Sequence, residues 1–469
     1  MRQPWRIAVV GGGISGLAAA VRLRDLTPAG TEITIFEQSG MLGGKLRTGE
    51  LAGSPVEFGA ESFLMRDPAG ADSAAVALAR RLGLGDALVH PTVGQAALVV
   101  DGALRPVPGG TLVGVPGDLG QVTAVAQPAT DADRDTGRPL LAPGEDVSVG
   151  ALVRSRFGDE ICERLVDPML GGVYAGRADT LSLNATMPAL SRTARTAHTL
   201  TGAVRAAQAA APRPTGAPVF ATVDGGLSRL VAAAAQAAGA TIRLNTAVRE
   251  LSATRDGWQL TVGPTPAAQT VTADAVVLAL PARHAARLLA GLDPASAATV
   301  GELDYASVAL ITLVLPEPQL PKLSGFLVPA DQGLTIKAST FFTTKWGHLR
   351  RPDGLALVRA SVGRYGEEAS LQVSDAELAA LAHREISQVV GAPLPTPVAT
   401  HVQRWGGALP QYTPGHLERV AAVRAALRPA YPTLAVVGAA YDGVGIPVCV
   451  RSGETGAEEI IKALEESGS

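Results

Sequence analysis

Short apolar runs rich in β-branched residues recur along the chain, and several run straight into glycine. Residues 7–10 read Ile-Ala-Val-Val and stop at Gly11. Such a run, bounded by turn residues, predicts a strand buried on both faces. Residues 17–23 then read as a helix, and Glu32-Ile-Thr-Ile-Phe36 predicts a second strand. Strict alternation over Trp258-Gln-Leu-Thr-Val262 predicts a half-exposed strand, whereas residues 273–280 and 434–438 read as buried ones. Residues 307–315, 334–340 and 355–362 predict a further set of strands. The longest apolar stretches, 273–281 and 306–316, are strand-length and end at proline. A membrane span needs roughly 20 apolar residues. A signal-peptide core needs about 7–15, so the run at 7–10 does not qualify.

The first strand, turn and helix carry Gly11, Gly12, Gly13, Ile14, Ser15 and Gly16, a GxGxxG in the context that gives it meaning. The first glycine permits the tight turn, the second lets a pyrophosphate approach the backbone, and the third lets helix and strand pack closely. The helix start then offers N–H groups and partial positive charge to phosphates. Glu37 ends the second strand 21 residues beyond Gly16, the distance at which an acid reaches ribose hydroxyls. A second glycine run, with Gly44 and Lys45, allows another close backbone approach, and Gly59, Ala60, Glu61 and Ser62 follow. A nicotinamide dinucleotide would not need this second run. Near the other end, the strand at 434–438 leads into Ala439, Val444, Gly445 and Ile446 and then a helix over 452–464. Strand, glycine turn and helix again present backbone donors to a ligand.

Composition narrows the rest. Of 469 residues, 47% are apolar and 18% charged, which excludes wholesale disorder. The formal net charge is −3 and no Lys/Arg run stands out, so nothing marks a nucleic-acid partner. Cys162 and Cys449 can build neither a disulfide framework nor a cysteine-rich metal site, and they read as reduced thiols in the cytoplasm. No HExxH, nucleophile elbow or zinc spacing occurs, and the seven histidines are scattered. No metal and no catalytic side chain is therefore expected. Mean hydropathy is +0.21, which buried strands and an apolar pocket would explain.

The run from Gly40 to Arg47 resembles the flavin-containing amine oxidase superfamily. Residues 104–116, 157–176 (ending Gly-Gly-Val-Tyr-Ala-Gly), 339–348, 404–412 and 441–447 more particularly resemble the coproporphyrinogen III and protoporphyrinogen oxidases, in their bacterial soluble branch. This resemblance implies an α/β protein, α+β overall, with an amine-oxidase-like fold. It would hold a discontinuous Rossmann-like FAD domain (1–88, 216–285, 410–469), a helical domain with a mobile loop at 124–148 (89–215), and a mixed-sheet substrate domain (286–409). It implies FAD bound by the residues above, with Val248 contacting the adenine side and Trp405 and Tyr441 as walls. It implies flavin N5 as hydride acceptor, with no catalytic side chain. Tyr174 and the cations Lys337, Lys345, Arg364 and Arg404 are the candidates for a carboxylated tetrapyrrole. The implied reaction is oxygen-dependent oxidation of coproporphyrinogen III, with release of hydrogen peroxide, in porphyrin and haem biosynthesis. Protoporphyrinogen IX oxidation, amine oxidation and a non-catalytic FAD-binding partner role stay open beside it. Transient contact with a ferrochelatase and a peripheral membrane contact also stay open.

Overall fold

The computed structural model describes residues 4–131, 133–210 and 216–467. The proline-rich stretch at 211–218 reads in sequence as a hinge-like linker, and most of it lies outside the described residues. A five-stranded parallel sheet runs in the order Thr241–Arg243, Glu32–Phe36, Arg6–Val10, Ala275–Leu278, Leu434–Val436. Its strands come from three distant stretches of chain. Alternation within them separates two cores. Ile7, Val9, Ile33, Ile35 and Val277 meet the first helix (Ile14–Leu26), the helix Ser228–Ala238 and the last helix (Ile446–Ser467). Ala8, Val10, Val276 and Leu278 meet Trp258, Leu288 and Leu427 on the other side. Both faces are covered, which is why these strands are apolar throughout.

The last helix starts at Ile446, six residues before the expected start at 452, and takes in Pro447. A proline is tolerated there because first-turn N–H groups have no helical partner. Farther along, Gly453 crosses the first helix so closely that an added Cβ would fall on the Ser15 carbonyl oxygen.

A second, seven-stranded sheet has the order Ala399–Pro410, Tyr305–Pro316, Leu355–Val362, Ile336–Phe341, Gly325–Leu327, Ala97–Val100, Ala103–Pro106. All its pairs are antiparallel except Gly325–Leu327 with Ala97–Val100. The helix Asp375–Val390 covers one face through Leu378, Ala382 and Ile386. On the other face, Leu98, Val100 and Leu327 pack into a helical layer that includes Asp167–Tyr174.

Two expectations about residues 89–215 need correction. The hairpin at 97–106 belongs to the seven-stranded sheet, because Ala97 and Val99 join one of its cores while Leu98 and Val100 join another. The segment expected to be a mobile loop is tied down. Asp133 accepts from the N–H groups of Leu200 (2.7 Å) and Thr201 (3.0 Å), and Leu140 N–H donates to Ala197 O (3.0 Å). Asp146 accepts from the Ser182 hydroxyl (2.6 Å) and Gly415 N–H (2.8 Å). Acids that read as solvating are acceptors for backbone donors, including those at a helix start.

Gly453→Ala should lower the stability of the flavin-loaded protein by about 1–3 kcal/mol, the usual cost of overpacking. Gly291→Ala, where a Cβ meets nothing within 4 Å, should be near neutral. Thermal midpoints of the two variants check this.

Candidate active site

The carboxyl ends of the parallel strands converge on one edge, where a topological switch leaves a crevice for ligand. Gly11, with φ +107°, could carry no Cβ without striking Ala279 O, and a Cβ on Gly16 would fall on Gly11 O. A Cβ on Gly13 would meet nothing within 4 Å. The outer glycines are thus demanded by packing, and the middle one faces open space. Gly13 starts the first helix with no side-chain cap, so the donors around Ile14, Ser15 and Gly16 suit an incoming anion. Glu37 accepts from Gly12 N–H and from Ser39 N–H, both at 2.8 Å. A carboxylate has further lone pairs for hydroxyl groups.

The other expected cofactor residues gather at the same edge. Gly43 N–H donates to Gly12 O (2.8 Å), which lays Gly44 against Gly13. Ala60 N–H donates to Lys45 O (3.0 Å), and Gly59 sits so close that a Cβ would strike that oxygen. Trp405 donates from Nε1 to Phe58 O (2.7 Å) and lies under the Arg47 guanidinium. Thr246 N–H donates to Glu37 O (2.8 Å), which brings the strand opened by Val248 beside the acid. Ala439 O accepts from the Tyr412 hydroxyl, and Asp442 holds the turn ahead of Val444, Gly445 and Ile446 through a bidentate pair with Arg424 (2.8 and 2.9 Å). Ser62 directly precedes the short strand Phe63–Leu64. Lys45 has no carboxylate partner among the described residues, and burial lowers its pKa. A cradle of backbone donors, an acid over the turn and an unpaired lysine fit an anionic dinucleotide cofactor.

The cations fare differently. Lys345 pairs with Glu61 and lies near the rings of Phe220 and Trp346. Arg359 takes the other Glu61 oxygen and also donates to Glu57 O (3.2 Å) and Gly59 O (3.1 Å). Burial would push the Glu61 carboxyl up, but Lys345 and Arg359 outweigh it and hold the pKa down. Expected as a substrate cation, Lys345 is instead a counter-ion for a buried acid. Arg404 also departs from expectation. It pairs across the sheet with Ala309, which packs toward the helix Asp375–Val390, whereas Trp405 pairs with Val308 on the opposite face. Its guanidinium donates to Leu371 O, Val373 O and Asp375. One residue of alternation sends it away from Trp405.

Lys337 and Arg364 are buried, and Lys337 donates only to Gly171 O (3.2 Å). Tyr174 ends the helix Asp167–Tyr174 with its ring 5.9 Å from that of Tyr412. Burial pushes its hydroxyl up to about 12, so it stays protonated. Tyr441, expected as a wall, is a core residue packed with Leu434 and Val436. Sequence reasoning missed Arg359 and Glu57. A charged residue in the otherwise apolar strand Leu355–Val362 was the available signal for the first. Glu57 accepts from Leu227 N–H (2.6 Å) and Thr48 Oγ1 (3.0 Å), and burial raises its pKa to about 7.

Comparison with known proteins agrees with this geometry. The profile of the flavin containing amine oxidoreductases matches residues 14–461. The coproporphyrinogen III oxidase of Mycobacterium tuberculosis (strain H37Rv) is 38% identical over 467 residues, covering 98% of each chain. That of Bacillus subtilis (strain 168) is 30% identical, again covering 98% of each. A crystal structure from Exiguobacterium sp. 255-15, named as a protoporphyrinogen oxidase, superposes with a TM-score of 0.84 at 30% identity, covering 99% of this chain and all of that one.

Two outcomes follow from the buried acids. Glu61→Gln leaves Lys345 and Arg359 without their anion and should cost about 3–5 kcal/mol in urea unfolding. Glu57 has a folded pKa of about 7 against an ordinary 4.5, so its stabilising share is complete below 4.5 and lost as pH rises through 7. Glu57→Gln keeps an acceptor for Leu227 and escapes that loss. Its thermal midpoint should therefore gain on the wild type between pH 5 and about 7.5 and then hold level.

Proposed function

The chain belongs to the flavin containing amine oxidoreductases, and from that premise we propose that it oxidises coproporphyrinogen III to coproporphyrin III. FAD is the cofactor, dioxygen the acceptor and hydrogen peroxide the second product. The observation that carries the reading is end-to-end similarity to proteins named coproporphyrinogen III oxidase, at up to 38% identity. The dinucleotide cradle supports it, because backbone hydrogen bonds tie the first glycine turn to Glu37 and to the second glycine run, and that run to Ala60.

Bound FAD would supply a two-electron acceptor, reoxidised by dioxygen to give hydrogen peroxide, for each of the three two-electron oxidations from porphyrinogen to porphyrin. The chain's own residues bind, orient and shield. The first helix and Glu37 hold the nucleotide end, and Gly44 and Gly59 let the backbone lie against the cofactor. Lys45 offers positive charge in a poorly solvated place. Trp405 and Val308, with Tyr365 and Ala175 packed beside them, form an apolar wall suited to a disc. Tyr174 adds a protonated phenol at its margin. Lys337 and Arg364 are the cations we assign to substrate carboxylates. Lys345 acts at one remove, by fixing Glu61.

No helix among the described residues is long and apolar enough to cross a membrane. We place the enzyme in the cytoplasm and divide it into the five segments given above, with 97–106 moved to the substrate sheet. Release of an oxidised, carboxylated porphyrin suits hand-over to a metal-inserting enzyme, so a transient ferrochelatase contact belongs to the same reading. Protoporphyrinogen IX is the second reading, favoured by the name of the Exiguobacterium neighbour.

Purified protein loaded with FAD should be yellow, and under air it should turn non-fluorescent coproporphyrinogen III into fluorescent porphyrin with oxygen uptake. Flavin-loaded protein that turns over neither porphyrinogen overturns the reading and leaves a non-catalytic flavin binder.

A further inference from the structure

The seven-stranded sheet holds a buried lysine with no carboxylate partner among the described residues, beside a buried arginine whose ion pair is long, 3.6 Å to Glu367. A register shift between Ile336 and Ala338 releases Lys337 from regular pairing with the strand Leu355–Val362. Its Nζ reaches Gly171 O in the last turn of the helix Asp167–Tyr174, and no carboxylate among the described residues pairs with it. Arg364 lies beside it: Val328 N–H donates to Lys337 O (2.9 Å), and Arg364 donates to Val328 O (3.0 Å). The nearest acid, Glu367, stands 3.6 Å from Arg364 and is engaged by Arg177, which also lies 3.5 Å from Asp167. Two arginines thus share two carboxylates, and Lys337 is the cation left over. Lys337 and Arg364 are only 7% and 8% exposed, so the surplus charge sits where solvent screens it poorly.

This cluster adjoins the apolar wall to which we assign the disc. Tyr365, next in the chain to Arg364, donates from its N–H to Ala175 O (2.7 Å) and packs with Val308 and Trp405. Gly171 and Gly172 bring no side chain to the helix end facing the cations, and a Cβ at Gly171 would meet Gly176 O at 3.7 Å, an ordinary contact. A carboxylate arriving there would meet an ammonium and a guanidinium, the strongest class of hydrogen-bond partner it can find.

We propose that Lys337 and Arg364 form a deep carboxylate subsite that selects a porphyrinogen with propionates around the whole disc over one with propionates on a single edge. The inference rests on the porphyrinogen reading above and sharpens it. Coproporphyrinogen III carries a propionate on each of its four rings. Protoporphyrinogen IX carries two, on adjacent rings, with vinyl groups on the others. Carboxylates at the cavity mouth can stay in water, so recognising them discriminates little. A vinyl group placed against Lys337 and Arg364 leaves buried donors and a buried charge unanswered, and sites of this kind reject the analogue that lacks the polar group. Burial holds the Lys337 pKa down at about 7, as expected of an ammonium waiting for an anion.

The test is the ratio of kcat/KM for coproporphyrinogen III to that for protoporphyrinogen IX, measured on flavin-loaded wild type, Lys337→Met and Lys337→Arg. Wild type should favour coproporphyrinogen III. Lys337→Met should lower that ratio about tenfold or more, through KM for coproporphyrinogen III, while protoporphyrinogen IX turnover holds or rises. Lys337→Arg should restore most of the ratio. Should the methionine variant lose its flavin, Arg364→Gln is read the same way. A wild type that prefers protoporphyrinogen IX overturns the proposal, and so does a variant that slows both substrates equally or neither. Wild type inert on both substrates sinks the parent reading instead.

Discussion

Glu61 is the joint on which the two sheets depend. It lies in the segment that follows the second glycine run, so it belongs to the cofactor side. Its two oxygens are held by Arg359, from the seven-stranded sheet, and by Lys345, from the short helix Phe342–Lys345 that follows one of its strands. Arg359 also donates to the carbonyls of Glu57 and Gly59, so one guanidinium holds two backbone carbonyls and one carboxylate on the cofactor side. A buried pair of this sort adds little stability over an apolar replacement, but removing one partner strands the others. Its value here is positional. The face bearing Trp405 and Val308 is held at a set distance from the glycines against which a flavin would lie.

A second constraint is closeness of backbone. Gly11 packs on Ala279, Gly16 on Gly11, Gly59 on Lys45 and Gly453 on Ser15, each without room for a Cβ. The first and last helices therefore cross at nearly backbone contact. The chain's beginning and end jointly build the crevice, and the middle contributes the strands Thr241–Arg243 and Ala275–Leu278. The discontinuity of the nucleotide-binding unit is a product of that sheet order.

What could be read in advance was local. A strand, a GxGxxG and a helix occupy about thirty consecutive residues, and their chemistry follows from their own geometry. The buried strands were legible because covered parallel strands are apolar throughout. Matters set by distant partners were not legible. Arg404 and Trp405 are neighbours in sequence, yet the register with Tyr305–Pro316 sends them to opposite faces. Lys345 read as a cation for substrate because nothing nearby in sequence announces Glu61. The acid-rich stretch at 124–148 read as loose because its acceptors serve donors as remote as Leu200 and Gly415. The final helix was placed late because its start was read at Ser452, whereas the first turn runs from Ile446 and takes in Pro447.

Lys337 and Lys345 show what separates a structural lysine from a recognising one. They lie eight residues apart, one in a strand of the sheet and one in the short helix after it, and both are shielded from water. Each must be given an anion or lose its charge. Lys345 finds its anion within the chain, and its pairing with Glu61 is complete before any ligand arrives. Lys337 finds only a helix-end carbonyl, whose partial negative charge supports an ammonium without neutralising it. A fold that buries a second cation beside it at Arg364 worsens the imbalance, and stability alone would select against that arrangement. An uncompensated site of this kind is sustained by what it gains when an external anion completes it. For an enzyme whose substrate is an apolar disc edged with carboxylates, that gain is large where the disc goes deep and small at the rim. In the proposed subsite, burial, more than the number of cations, therefore decides which propionates are read.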